Sequence, residues 1–244
     1  MSLLDVSALT KRFGGLLAVS GLDLSLAKGE MLGLIGPNGA GKTTVFNLLS
    51  GFLSPDGGEI HFGGRNVVGL KPHEICLLGM ARTFQIVRPF PQLSVVDNVK
   101  VAALARHAGM VPALASARAV VERVGLGARA EARAGGLTLA DRKRLELARA
   151  LATEPSLLLL DEVMAGLNAT EIDAMVRLVA GINAEGISVL LIEHNMRAVM
   201  SLSHRIVVLS FGEKISSGTP REVAADRRVV EAYLGEEYVH PPQA

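Results

Sequence analysis

The chain has little of what marks a disulfide scaffold, a nucleic-acid binder or a membrane span. It contains one cysteine, Cys76, so no internal disulfide can form, which suits a reducing compartment. Cys76 lies in the apolar stretch Glu74-Ile75-Cys76-Leu77-Leu78, and no His–Asn arrangement points at it. A lone cysteine in that setting is read as a small buried hydrophobe rather than a nucleophile. Net charge is equally scarce. The formal value of +1 leaves no electrostatic footprint for nucleic acid. Long apolar runs are missing too: none approaches the ~18 residues of a spanning helix. The opening Met1-Ser2-Leu3-Leu4-Asp5 lacks the basic region and apolar core of a secretory signal.

What is present is dispersed apolarity. Hydrophobic residues are 49% of the 244, charged residues 20%. The mean hydropathy of +0.36 is carried by scattered Ala, Leu and Val. Either a large core or docking on another protein accounts for it. The length fits one α/β domain or two closely packed lobes. No repeat or low-complexity tract stands out apart from the polar end Pro241-Pro242-Gln243-Ala244.

Alternation around Leu22-Asp23-Leu24-Ser25-Leu26 predicts a half-buried strand, and Met31-Leu32-Gly33-Leu34-Ile35 predicts a buried strand of a parallel sheet. A helix is expected from Lys42 to Leu49, stopped by Gly51. A turn at Pro55-Asp56-Gly57-Gly58 leads to a short strand, Glu59-Ile60-His61-Phe62. From about Ser94 to Ala152 the spacing is helical, with breaks near Gly109, Gly125 and Gly135-Gly136. Strand residues Leu157 to Leu160, a helix from about Thr170, and a strand from Ser188 to Ile192 follow. Strands alternating with helices predict a mainly parallel sheet, and the helical stretch between them reads as an inserted lobe.

Between the second of these strands and the helix at Lys42 stands Gly36-Pro37-Asn38-Gly39-Ala40-Gly41-Lys42-Thr43, which satisfies G-x-x-x-x-G-K-[ST]. Backbone N–H groups must converge on a polyphosphate without side chains intervening, which requires glycines. The following helix aims the positive end of its dipole at the same point. Lys42 is expected on the β- and γ-phosphates and Thr43 on Mg²⁺. The loop marks nucleotide binding, yet alone it does not separate GTPases, small-molecule kinases and transport ATPases. Downstream, Leu157-Leu158-Leu159-Leu160-Asp161-Glu162 sets two carboxylates at the carboxyl end of a buried strand, where ligands of open α/β sheets bind. Asp161 would hold Mg²⁺ through water, and Glu162 would orient and deprotonate the attacking water.

With these two motifs placed, the chain resembles the ABC ATPase family over essentially its whole length. The resemblance implies an α/β P-loop NTPase with a RecA-like core, an antiparallel β subdomain and an inserted helical subdomain. It implies a single ABC ATPase domain over 1–244, with a core over about 1–85 and 153–244 and helices over about 86–152. Gln85, in Arg82-Thr83-Phe84-Gln85, matches the family's Q-loop glutamine, which serves the Mg²⁺ and water site. His194, in Ile192-Glu193-His194-Asn195, matches the switch histidine on the γ-phosphate. Ala165-Gly166-Leu167-Asn168 matches the D-loop, and Phe13, in Lys11-Arg12-Phe13-Gly14-Gly15, the aromatic that stacks on adenine. By the same resemblance the ATP contacts run from Gly36, Pro37, Asn38, Gly39, Ala40, Gly41, Lys42 and Thr43 to Thr44, with Thr138 reaching the nucleotide of a partner subunit.

Two departures stand out. Leu137-Thr138-Leu139-Ala140-Asp141 occupies the place of the family's Leu-Ser-Gly-Gly-Gln signature, aligned by the helix-like Arg142-Lys143-Arg144-Leu145-Glu146-Leu147-Ala148-Arg149-Ala150. Val163 stands where the family often has proline. Asp141 reads two ways: as part of a capping-box-like Thr138-x-x-Asp141, or as an anion competing with the partner's ATP phosphates.

Within the family the chain is most similar to the ATPase subunits of branched-chain amino acid importers. The carrying segments are Arg12 to Val19, Ala81 to Gln85, Met164 to Asn168, Ile192 to Met196, and Tyr233-Leu234-Gly235-Glu236. That resemblance implies ATP and Mg²⁺ as cofactors and a second ATPase subunit, identical or not. It also implies two transmembrane permease subunits, an extracytoplasmic solute-binding protein acting indirectly, no nucleic acid, and a peripheral place at the cytoplasmic face of the membrane. The segment Ile86-Val87-Arg88-Pro89-Phe90-Pro91-Gln92-Leu93 is expected to line the groove for a permease helix. Import of urea, amides or another polar solute is the alternative cargo. Other readings are a non-transport ABC ATPase, a catalytically idle regulatory module, or a small-molecule kinase.

Overall fold

The computed structural model describes residues 2–85 and 88–234. In chain order the elements are β1 (Ser2–Phe13), β2 (Leu16–Ala27), β3 (Met31–Ile35), α1 (Lys42–Leu49), β4 (Gly57–Phe62), β5 (Arg65–Asn66) and α2 (Pro72–Leu78). They continue with β6 (Met80–Arg82), α3 (Val95–Ala103), α4 (Met110–Arg123), α5 (Leu139–Leu151), β7 (Leu157–Asp161) and α6 (Ala169–Ala184). The last are β8 (Ser188–Ile192), α7 (Met196–Leu202), β9 (Arg205–Ser210), β10 (Glu213–Gly218), α8 (Pro220–Ala225) and α9 (Arg227–Leu234). They divide into two compact units, one from the described residues of 1–72 and 188–244, the other from 73–187.

In the first unit an antiparallel sheet runs in the order β2-β1-β4-β5. β2 alternates buried and exposed residues from Leu22 to Leu26, as its sequence predicts. β1 breaks its alternation with repeated register shifts against β2 and a left-handed Ala8 at φ 48°. A second set of strands is ordered β10-β9-β3-β8: β3 pairs in parallel with both β8 and β9, and β10 closes antiparallel on β9. All five residues of β3 and all five of β8 are buried. That is the signature of strands covered on both faces, and both ranges match the apolar runs in the sequence. Ile35, Val199, Ile206, Val208, Val223 and Val229 form a core cluster beside them.

The second unit carries the parallel pair β6 and β7 together with α3, α4 and α5. Its helices start and stop where the sequence punctuates them. Ser94 accepts the Asp97 N–H at the start of α3, and Gly109 and Gly125 take positive φ at the breaks flanking α4. Buried Asn98 binds both the N–H and the carbonyl of Phe90, pinning the loop ahead of α3. The expected α/β architecture, with parallel strands, an antiparallel sheet and a helical segment, is present.

Candidate functional site

The phosphate loop leaves β3 at Ile35 and ends where α1 begins at Lys42. Its glycines are needed at two points. Gly41 sits at φ 100°, where a Cβ would meet the Ala18 carbonyl oxygen at 2.4 Å, and a Cβ on Gly36 would meet that of Leu209 at 2.1 Å. α1 has no side-chain cap and no acidic residue in its first turn, so its leading N–H groups are presented without an internal anion. The Lys42 ammonium is buried and donates to the carbonyls of Gly36 at 2.7 Å and Pro37 at 3.0 Å. Asn38, Gly39 and Thr43 are exposed, Pro37 and Thr44 half-buried, and the buried Ala40 accepts the Gly212 N–H at 3.1 Å.

Other expected residues of this unit take simple positions. Phe13 ends β1, is 46% exposed, and has the Lys11 ammonium 5.7 Å from its ring centroid. An exposed ring at a strand end suits a stacking platform. His194 is exposed just past β8, ahead of Asn195, which caps α7 by accepting the Ala198 N–H. One contact was not foreseen. Burial pushes the ionisation of Tyr233, on α9, above the usual tyrosine range, against the lowering influence of the Gly36 N–H. Tyr233 also lines an apolar cavity of 290 Å³ with Ile35, Met196 and Met200. Only a chain return sets α9 beside the loop, so local sequence carried no signal for it. Gly235 and Glu236 lie outside the described residues.

In the second unit, β7 delivers Asp161 and Glu162 as expected. Glu162 is held at φ 50°, a left-handed conformation that strains a side chain with a Cβ. Its Oε2 accepts a hydrogen bond from Gln85 Nε2 at 2.7 Å, so the two predicted catalytic side chains of this unit meet. Asp161 is nearly fully buried, and its Oδ2 accepts from Arg82 Nη2 at 2.8 Å. The hydroxyl of buried Thr83 accepts the Asp161 N–H at 3.1 Å. The carboxylate read from sequence as a metal ligand therefore also closes a buried ion pair. Lys143 was likewise missed as a site residue: its ammonium donates to the carbonyl of Glu162 at 2.8 Å and of Gln85 at 3.3 Å.

At the start of α5, the Thr138 hydroxyl accepts the Asp141 N–H at 3.2 Å, which is one half of a capping box. The other half is absent. The Asp141 carboxylate pairs with Arg129 Nη1 at 3.2 Å, so its charge is met by a cation that neither sequence reading of Asp141 included. The D-loop turns tightly through Gly166 at φ 78°, where a Cβ would meet Leu139 Cδ2 at 2.9 Å. Asn168 then caps α6 in a full capping box with Glu171. Of the loop beyond Gln85, Ile86 and Val87 lie outside the described residues, while Phe90 and Leu93 are exposed.

The metal question turns on donor chemistry. Thr43 offers a hydroxyl, Asp161 a carboxylate and Gln85 an amide oxygen, all hard donors that fit magnesium. Among the described residues no group of three or more His, Cys, Asp or Glu gathers to cage a metal.

Known proteins resemble the chain over most of its length. A family model described as ABC transporter matches residues 19–165, and one described as Branched-chain amino acid ATP-binding cassette transporter matches 213–239. The chain is 43% identical to the high-affinity branched-chain amino acid transport ATP-binding protein BraF of Pseudomonas aeruginosa, over 96% of this chain and 98% of that one. It is 42% identical to LivG of Escherichia coli, a protein of the same description, with the same coverage. A solved ATP-binding cassette of an ABC transporter, in its ADP conformation, superposes with a TM-score of 0.88 at 29% identity. That superposition covers 97% of this chain and all of the other.

Proposed function

The chain belongs to the ABC transporter ATP-binding family, as an ATP-hydrolysing subunit, and from that premise we propose that it powers import of branched-chain amino acids. The cargo rests on the relatives' own descriptions and on the match over 213–239. The observation that best supports the hydrolytic role is the Gln85–Glu162 hydrogen bond, which aims a carboxylate from the end of a buried strand.

In this reading the loop Gly36 to Thr44 cradles the ATP phosphates, and Lys42 turns from the Gly36 and Pro37 carbonyls onto the β- and γ-phosphates. Phe13 stacks on adenine. Thr43, Asp161 and Gln85 would hold Mg²⁺, partly through water. When bound, the ion neutralises phosphate charge and orients the leaving oxygen. Glu162 takes a proton from the attacking water as its oxygen bonds to the γ-phosphorus. The bond to the β–γ bridging oxygen breaks, ADP leaves, and the proton passes to released phosphate. His194 contacts the γ-phosphate, and Thr138 reaches the nucleotide of a second ATPase subunit. Residues 86–152 act as the helical subdomain and the remainder as the nucleotide-binding core.

No described helix is long and apolar enough to cross a membrane. The chain works with two permease subunits at the cytoplasmic face, fed by an external solute-binding protein. Contacts made only in the closed pair shift the open–closed equilibrium and move the permease. The test is reconstitution with the permease and binding protein in vesicles holding ATP, reading uptake of labelled leucine against urea and a short amide. Leucine uptake lost in Glu162→Gln is expected. Uptake of urea or amide instead would replace the cargo, and an ATP-independent signal would overturn the motor role.

A further inference from the structure

α5 carries three charged residues spaced by three, Lys143, Glu146 and Arg149, which lie along one side of the helix. All three bind the chain that runs from β6 through Gln85. Lys143 donates to the carbonyl of Gln85, and the Phe84 N–H favours the charged form of the Glu146 carboxyl. Arg149 Nη1 donates to the carbonyl of Arg88 at 3.3 Å and to Glu146 Oε2 at 3.0 Å, and its guanidinium lies 5.6 Å from the Phe90 ring centroid. Lys143 reaches a second target as well, the carbonyl of Glu162.

The burial makes this arrangement informative. Lys143 is 4% exposed and Glu146 6%. Removing such charges from water is costly, and well-packed apolar residues of similar volume would hold a helix in place at least as well. Packing therefore does not explain the choice. Backbone carbonyls and N–H groups are what these side chains meet, so their effect is on where the main chain at Phe84, Gln85, Arg88 and Glu162 sits. Thr138 caps the same helix at its amino end.

We propose that Lys143, Glu146 and Arg149 are positioning residues that lock the Gln85 loop and the Glu162 backbone onto α5. A displacement of α5 at Thr138 then carries the Gln85–Glu162 pair with it. Lys143 is the pivot, because its ammonium donates to the backbone carbonyls of both Gln85 and Glu162. The proposal rests on the ATPase reading, and it adds the part that ties nucleotide contact at one end of α5 to the placement of the base.

The experiment replaces Lys143 by Met, which keeps the stem and removes the ammonium, and by Arg, which restores a cationic donor. Steady-state ATP hydrolysis by the transporter complex is read as separate kcat and KM values, with a thermal melt of each variant. Lys143→Met is expected to lower kcat roughly 10- to 100-fold, the range for groups that orient a functional residue, with KM within about two-fold. Lys143→Arg should restore most of kcat. An unchanged kcat in Lys143→Met, with Glu162→Gln inactive in parallel, overturns the lock alone. Full activity in Glu162→Gln would overturn the hydrolytic reading beneath it. A purely structural role would lower the melting temperature and leave kcat per folded molecule intact, which also overturns the proposal. Should Lys143→Met fail to fold, Lys143→Gln is read by the same criteria.

Discussion

A carboxylate serves as a base only when aimed, and Glu162, the proposed base, is aimed twice. Its backbone is held at φ 50°, a conformation costing about 1 kcal/mol or more for a residue with a Cβ, and its carboxylate is tied to the Gln85 amide. Glu162→Gln is expected to keep ATP affinity and to lose roughly 100-fold or more in phosphate release. A variant that turns over at the wild-type rate would remove Glu162 from the mechanism. Asp141 offers a second case. Its pair with Arg129 is half-exposed on the arginine side, and such pairs are worth no more than about 1 kcal/mol. Asp141→Gln should therefore raise the ATPase rate of the complex and Arg129→Ala should lower it, each by about five-fold at most. Equal rates in both variants would reduce the pair to surface structure.

Between elements, a polar tie in the second unit joins β6 to β7 through Arg82 and Asp161, both nearly buried. Removing one partner leaves a buried charge uncompensated, so Arg82→Ala should cost about 3–5 kcal/mol in urea unfolding. A loss under about 1 kcal/mol would mean that the Asp161 charge finds water or another partner. On α5, desolvation raises the Glu146 carboxyl above its ordinary range, an effect that Arg149 and the Phe84 N–H only partly offset. The folded state thus binds that proton more tightly than the unfolded chain. The contribution of this group to stability is largest below the ordinary carboxyl range and falls as pH rises through the window up to its higher folded value. Glu146→Gln should flatten that part of the pH–stability curve, measured by chemical unfolding from about pH 4 to 7. An identical slope in wild type and variant would count against it.

Elements of this kind were unevenly legible. β3, α1 and β8 follow their apolar runs and the glycine loop residue for residue, because burial on both faces leaves a continuous hydrophobic signal. β6 is three residues long and exists by pairing with β7, which no local pattern announces. β1 hides its period behind bulges and the left-handed Ala8.

At the scale of the whole molecule, an ATPase that works as a pair should show its pairing when hydrolysis is blocked. Glu162→Gln with ATP is expected to sediment as a dimer and to return to monomer when ATP is removed, read by analytical ultracentrifugation. A monomer at every nucleotide concentration would confine pairing to the permease-bound state. The phosphate loop and the acidic pair were legible because their chemistry is local. Arg82 on Asp161, Lys143 on Glu162 and Tyr233 on Gly36 were not, since each joins segments far apart in the chain.

β3 has its neighbours at the opposite end of the sequence: β8 on one side, β9 on the other. During synthesis the five apolar residues Met31–Ile35 emerge early and stay unpaired until the strands Ser188–Ile192 and Arg205–Ser210 have left the ribosome. The nascent polypeptide carries a sticky, edge-exposed segment through most of its translation, and any stalled product ending before Arg205 is a substrate for chaperones and proteases rather than a smaller motor.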